Sequence, residues 1–182
     1  AYNVAIGSET LKQLTSGNNN TAVGRAAAQL RTTGNSNISI GSLSMYSTTT
    51  GSTNTAVGHN SLYTNTTGGG NVALGYQSLY YNTTANYTVA IGENALLQNT
   101  TGFGNTAVGS FSLDSNVTGG NNTAIGYAAL STSTSSNNTA IGRDALKLTT
   151  SGSPNTAVGA LCLDANTTGS SNTAIGYGSL GS

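Results

Sequence analysis

One glycine returns through this chain at an almost constant interval: Gly7, Gly24, Gly41, Gly58, Gly75, Gly92, Gly109, Gly126, Gly142, Gly159 and Gly176. Every interval is 17 residues except Gly126 to Gly142, which is 16. A strict period of this length is the signature of a chain built from stacked supersecondary units, and it outranks any local propensity in deciding the fold. The consensus unit reads Asn-Thr-Ala-Val-Gly-x-x-Ser-Leu-x-x-Asn-Thr-Thr-Gly-x-x, repeated eleven times.

The residues around the glycine set the secondary structure. The position before it is always aliphatic, from Ile6, Val23 and Ile40 to Val158 and Ile175. Three before it, from Val4 and Thr21 to Thr156 and Thr173, the residue is always β-branched. Ala stands between them in every unit but one, where Ser39 replaces it. Branched, small, branched over three residues predicts a short strand with two unlike faces. The glycine then ends the strand with a bend that a Cβ would obstruct. Four residues later comes a second apolar anchor, Leu in nine units, with Ala28 and Met45 as exceptions. A turn follows, cleanest at Asn65-Thr66-Thr67-Gly68 and Asn99-Thr100-Thr101-Gly102.

A helix pair with two turns does not fit into 17 residues, and β-branched residues, Gly and Asn stand where a helix wants Ala, Glu and Lys. The expected fold is therefore all-β: a parallel β-solenoid, or β-roll, of eleven coils forming a single repeat domain over residues 1–182. Strands about 4.8 Å apart make a rod on the order of 50 Å long. Asn stands four residues before the glycine in every unit except at Thr88. Such a column is expected to bond amide to amide along the axis.

Composition agrees with an in-register stack. Charged residues make up 5% of the chain, against roughly 25% in ordinary soluble domains. Like charges one coil apart would repel. The five acids and five bases cancel, so nothing draws the chain to nucleic acid or an anionic membrane surface. No apolar run is long enough for a membrane helix. Cys162 is the single cysteine and is expected as a small buried residue.

Neither strand face carries the polar residues expected of a face in water. The near-uniform Ala column excludes bulk, and a close neighbouring chain would explain it. On that reading Ala22, Ala56, Ala73, Ala107, Ala124, Ala157 and Ala174 form an inter-chain seam. The alternative is that Ala fills a narrow coil and the branched columns face outward as an apolar ladder needing cover. Both readings predict a homo-oligomer. No atypical capping unit stands at either end, which fits a segment of a longer fibre.

Val4-Ala5-Ile6-Gly7 and Val89-Ala90-Ile91-Gly92 resemble the Val-Ala-Ile-Gly core of the head repeats of YadA-like trimeric autotransporter adhesins. The Asn-Thr-Ala-Ile-Gly-Tyr form at Asn122–Tyr127 and Asn172–Tyr177 resembles repeats of phage tail fibres and bacterial surface fibres. The resemblance implies a left-handed parallel β-roll, three chains side by side, an extracellular or virion location, and a role in attachment or in displaying a binding tip. The longer unit and its Leu plus Asn-Thr-Thr-Gly segment depart from the adhesin pattern.

Enzyme chemistry has no foothold. His59 is the sole histidine, in a variable slot beside the glycine. Glu9, Glu93, Asp114, Asp144 and Asp164 are scattered over different units without acid/base or metal-site spacing. No catalytic residue, metal or cofactor is expected. The structural fibre is the leading reading, with direct binding as its rival. Tyr76, Tyr127 and Tyr177 share the slot after the glycine and are the candidate ligand contacts, since exposed Tyr stacks on a cell-surface glycan. Paired Thr residues in the turns, such as Thr66-Thr67, are the candidate for an ice-matching array, or else simple turn formers.

Overall fold

The computed structural model describes residues 2–181. Each unit contributes one strand: β1 (Val4–Ile6), β2 (Thr21–Val23), β3 (Ile38–Ile40), β4 (Thr55–Val57), β5 (Val72–Leu74), β6 (Val89–Ile91), β7 (Thr106–Val108), β8 (Thr123–Ile125), β9 (Thr139–Ile141), β10 (Asn155–Val158) and β11 (Asn172–Ile175). They form one eleven-stranded sheet in chain order, parallel throughout. Register follows the repeat: Ala73 pairs with Ala90, and Leu74 with Ile91. The shorter unit keeps it, with Ala124 opposite Ala140 and Ile125 opposite Ile141. Its missing residue is absorbed in the turn, where backbone geometry is least constrained. There is no helix among the described residues.

Coil-to-coil hydrogen bonds run well beyond the strands. Leu79 N–H donates to the Ala95 carbonyl at 2.9 Å, and Thr83 N–H to the Thr100 carbonyl at 3.0 Å. Nearly the whole backbone is therefore paired with the coil above and below, as backbone polar groups removed from water require.

The interior answers the question of the two strand faces. Ala22, Ala56, Ala73, Ala107, Ala124 and Ala157 are 0% exposed within the single chain, and Ala174 is 4% exposed. They pack with Leu62, Leu79, Leu96, Leu113 and Leu130 in one continuous core. The inter-chain seam assigned to these alanines is thus corrected: they line the inside of their own coil. A 17-residue coil is narrow, and a strand backing directly onto the Leu column has room for a methyl group or, at Ser39, a hydroxymethyl. The branched columns point outward, as in β8, where Thr123 is half-buried and Ile125 exposed.

The segment after the glycine departs from what sequence pattern shows. The second and fourth residues after it adopt left-handed backbone in coil after coil, for example Gln77 (φ 52°) with Leu79 (φ 55°) and Phe111 (φ 59°) with Leu113 (φ 49°). Such a conformation costs an L-residue about 1–2 kcal/mol. Burial of the Leu side chain, worth about 2 kcal/mol, offsets it. The position between them is small for the same packing reason. Ser61, Ser78 and Ser112 there donate to the carbonyls of Gly58, Gly75 and Gly109 at 3.0, 3.1 and 2.7 Å. Cys162 fills the equivalent slot, fully buried, with burial pushing its thiol up.

Two Asn ladders line the interior. In the column before the strands, the side-chain oxygen mostly accepts from backbone rather than from amide. Asn54 N–H donates to Asn37 Oδ1 at 2.9 Å, and Asn71 N–H to Asn54 Oδ1 at 2.9 Å. The same side chains donate onward to carbonyls, Asn54 Nδ2 to the Gly68 carbonyl at 2.9 Å. Amide-to-amide bonding runs through the turn column instead. Asn82, Asn99 and Asn116 donate to the Oδ1 atoms of Asn65, Asn82 and Asn99 at 2.9, 3.2 and 3.0 Å. All four side chains are 0% exposed, and each Nδ2 donates to a protein oxygen rather than to water, while Asn116 Oδ1, at the end of the ladder, is left without a partner.

Candidate functional site

The outer surface has three distinct parts: the strand face, the segment after the glycine, and the threonine turn. Among the described residues there is no pocket and no cluster of three or more His, Cys, Asp or Glu able to hold a metal ion.

The segment after the glycine holds nine of the ten charged residues, all but Arg31. Glu9 pairs with Lys12 at 3.1 Å, and that ammonium holds its carboxyl below the usual range. Asp144 takes both Arg143, at 2.9 Å, and Lys147, at 3.0 Å. These are local pairs within one coil, and they aim at no common point.

The same segment carries eight of the eleven Tyr and Phe residues, all but Tyr2, Tyr87 and Phe103. Tyr46, Tyr63 and Tyr80 occupy one column in consecutive coils and stack almost parallel, with centroids 5.2 and 5.0 Å apart. Tyr81 meets Tyr80 edge-on at 4.7 Å. His59 and Tyr76 stack at 5.9 Å one column away. In-register stacking follows from the coil spacing: identical side chains on a parallel stack sit about 4.8 Å apart, within contact distance for rings. Both faces of Tyr63 are covered by its neighbours, so the ladder offers ring edges and hydroxyls rather than flat faces. This ladder was not singled out as a site from the sequence, although Tyr at three consecutive equivalent positions was the signal for it.

Tyr76, Tyr127 and Tyr177 are 47%, 53% and 78% exposed. The structure does not bring them together. They lie on coils three apart, on the order of 14 Å from one to the next. Tyr76 stacks on His59, while Tyr127 packs edge-on against Phe111 at 5.9 Å. His59 lies at the surface.

In the turn, the first Thr of each pair is a backbone partner. Thr49, Thr66 and Thr83 donate to the carbonyls of Thr66, Thr83 and Thr100 at 3.1, 3.0 and 3.1 Å. The second, as at Thr50, Thr67, Thr84 and Thr101, is exposed. The pairs thus act first as turn formers, which accounts for their recurrence.

The strand face differs from both. Its two outward columns hold 22 side chains, every one β-branched except Leu74, with no charge among them. Ile38, Ile40, Val57, Ile125 and Ile141 are exposed on it.

Fold and surface together define a parallel β-solenoid repeat protein with an uncharged, ordered strand face. Comparison with protein-family models, with curated proteins and with solved structures found no match.

Proposed function

We propose that this chain is a structural spacer: a rigid segment of an extracellular fibre, of the adhesin-stalk or phage tail-fibre kind, in which copies run side by side as a homotrimer and hold a binding tip away from a surface. The observation that carries this reading is the unbroken eleven-stranded in-register sheet. A stack in which every coil repeats the last supplies length and stiffness, and each coil needs only its neighbours. The resemblance of Val89-Ala90-Ile91-Gly92 to adhesin head repeats, and of Asn122–Tyr127 to tail-fibre repeats, supports the same role and an extracellular or virion location.

Deleting one complete unit, residues 93–109, tests the proposal. A spacer keeps its cooperative unfolding and its assembly state, and its rod shortens by about 5 Å in small-angle scattering. Collapse of the assembly after this in-register deletion would sink the spacer reading.

A further inference from the structure

Tyr46, Tyr63 and Tyr80 stand five residues after Gly41, Gly58 and Gly75, and nowhere else does Tyr follow Tyr from coil to coil. Tyr63 lies on Tyr80 with centroids 5.0 Å and planes 3° apart, and Tyr46 on Tyr63 at 5.2 Å and 6°. All three are half-buried, with part of each ring open to solvent. The other readily oxidised side chains are withheld. The chain has no Trp, and Met45 and Cys162 are 0% exposed. Tyr2 and Tyr87 are far more open, at 86% and 78%, but no ring stands against either among the described residues.

We propose that the column of Tyr46, Tyr63 and Tyr80 is an oxidative cross-linking site, at which a one-electron oxidant of the haem-peroxidase class, driven by hydrogen peroxide, staples neighbouring coils of one chain through dityrosine. Tyr63 and Tyr80 are the closer and more nearly parallel pair. Each phenol gives up one electron and its hydroxyl proton, leaving two phenoxyl radicals. These couple through one new carbon–carbon bond between the Cε atoms ortho to the two oxygens. Each of those carbons then passes its hydrogen, as a proton carried by water, to a phenolic oxygen, which restores both rings. The peroxide takes up the two electrons and two protons and leaves as two waters. The chain ends lighter by two hydrogens.

The fold supplies what the coupling needs. Two radicals must meet, and the stack already holds the second ring against the first, so the step is intramolecular. The coil spacing sets the two Cα atoms about 4.8 Å apart. Turning each ring about its Cβ–Cγ bond, a soft torsion, brings the two Cε edges to face one another. Tyr81 is 44% exposed and edge-on to Tyr80 at 4.7 Å, which gives a bulky oxidant a point of contact beside the stack. The bridge from Tyr63 to Tyr80 spans one 17-residue repeat and stabilises as a disulfide does, by restricting the unfolded chain. It lies within one chain and does not depend on the side-by-side fibre.

The experiment treats the folded chain with a haem peroxidase and hydrogen peroxide, and reads dityrosine fluorescence, intact mass and thermal midpoint. Cleavage at Leu62, Leu74 and Leu79 separates Tyr46, Tyr63, Tyr76 and Tyr80, so mass spectrometry of the fragments locates the bridge. The expected product runs at the single-chain mass of 18.1 kDa on a denaturing gel, is two hydrogens lighter, is bridged from Tyr63 to a neighbour in the column, and melts at a higher temperature. Tyr63→Phe keeps a ring in the stack and should lose the bridge and most of the fluorescence. Tyr2→Phe with Tyr87→Phe should leave both unchanged. Where circular dichroism shows Tyr63→Phe unfolded, the fragment map of the unaltered chain decides alone. The site is overturned if no dityrosine forms, if the bridge maps outside the column, if bridges form only between chains, or if folded Tyr63→Phe keeps the full fluorescence. A bridge within the column that leaves the thermal midpoint unchanged overturns the stapling.

Discussion

The guanidinium of Arg31 lies 3.4 Å from the sulfur of Met45, inside the column that Leu fills in most other coils. Arg31 is 0% exposed and has no carboxylate partner. Its other contacts are the Gly51 carbonyl at 3.2 Å and Asn20 Oδ1 at 3.4 Å, and Nε is left without a partner. The coil can house this side chain because position 28, three residues earlier, is Ala where other coils carry Leu. Ala28 and Arg31 therefore behave as a compensating pair.

Ala28→Leu alone should overpack the coil and cost about 1–3 kcal/mol. Arg31→Asn alone should leave a void beside Ala28. The double variant restores the consensus Leu and the consensus turn Asn, and should be more stable than the unaltered chain, with a coupling of at least about 1 kcal/mol. Urea unfolding of the four forms measures this, and additive effects would refute the pairing.

Burial lowers the guanidinium of Arg31 to about 10. A base depressed in the folded state is costly while charged, so the cost is present at neutral pH and is relieved as pH rises through about 10. The stability advantage of the double variant should therefore shrink above pH 10, measured as the difference between the two urea midpoints.

Thr88 interrupts the Asn column. Asn71 Oδ1 still accepts the Thr88 N–H at 3.0 Å, but Thr88 offers no amide oxygen to Asn105 in the next coil. Thr88→Asn should restore the ladder and add about 1 kcal/mol. A thermal midpoint unchanged or lowered by this substitution would count against the ladder as a source of stability.

Gly92 has φ +133°, and a Cβ on it would lie 2.6 Å from the Gly109 carbonyl carbon in the next coil. Gly92→Ala should cost more than about 2 kcal/mol, combining backbone strain with a clash that only a shift of the coil can relieve. Unfolding by urea reads the loss directly.

Asp114 is partly buried, and desolvation raises its carboxyl above the ordinary value. An acid raised in the folded state holds its proton longer than the unfolded chain does. Its contribution therefore falls as pH rises from the ordinary carboxylate value of about 4 to the folded one. Asp114→Asn should gain stability relative to the unaltered chain between pH 3 and pH 6, and a constant difference across that window would exclude the effect.

The period carried most of the fold. Gly7 to Gly176 defined the coils, and the Val/Thr-Ala-Val/Ile triplets defined the strands and their register. Which face of the strand turned inward was not legible, because Ala suits a crowded coil interior as well as a crowded seam between chains. Packing of Ala73 and Ala90 against the Leu column decided it. The left-handed backbone at Leu79 and Leu113 was equally hidden, since Leu is not a residue that announces positive φ. Arg31 drew no notice as one base among five, because the vacancy it fills is visible only once Ala28 is set against the Leu column.

Nearly all bonds between coils lie along the rod axis, and each coil is tied chiefly to the next. Tension applied to the two ends of the chain therefore loads these ties in series rather than all at once. The outermost coil should detach first, then its neighbour, each step releasing 17 residues and on the order of 50 Å of slack. Pulled in this way, the rod is a ratchet of near-equal steps that yields gradually and shields the coils still wound, a useful property in any tether exposed to flow.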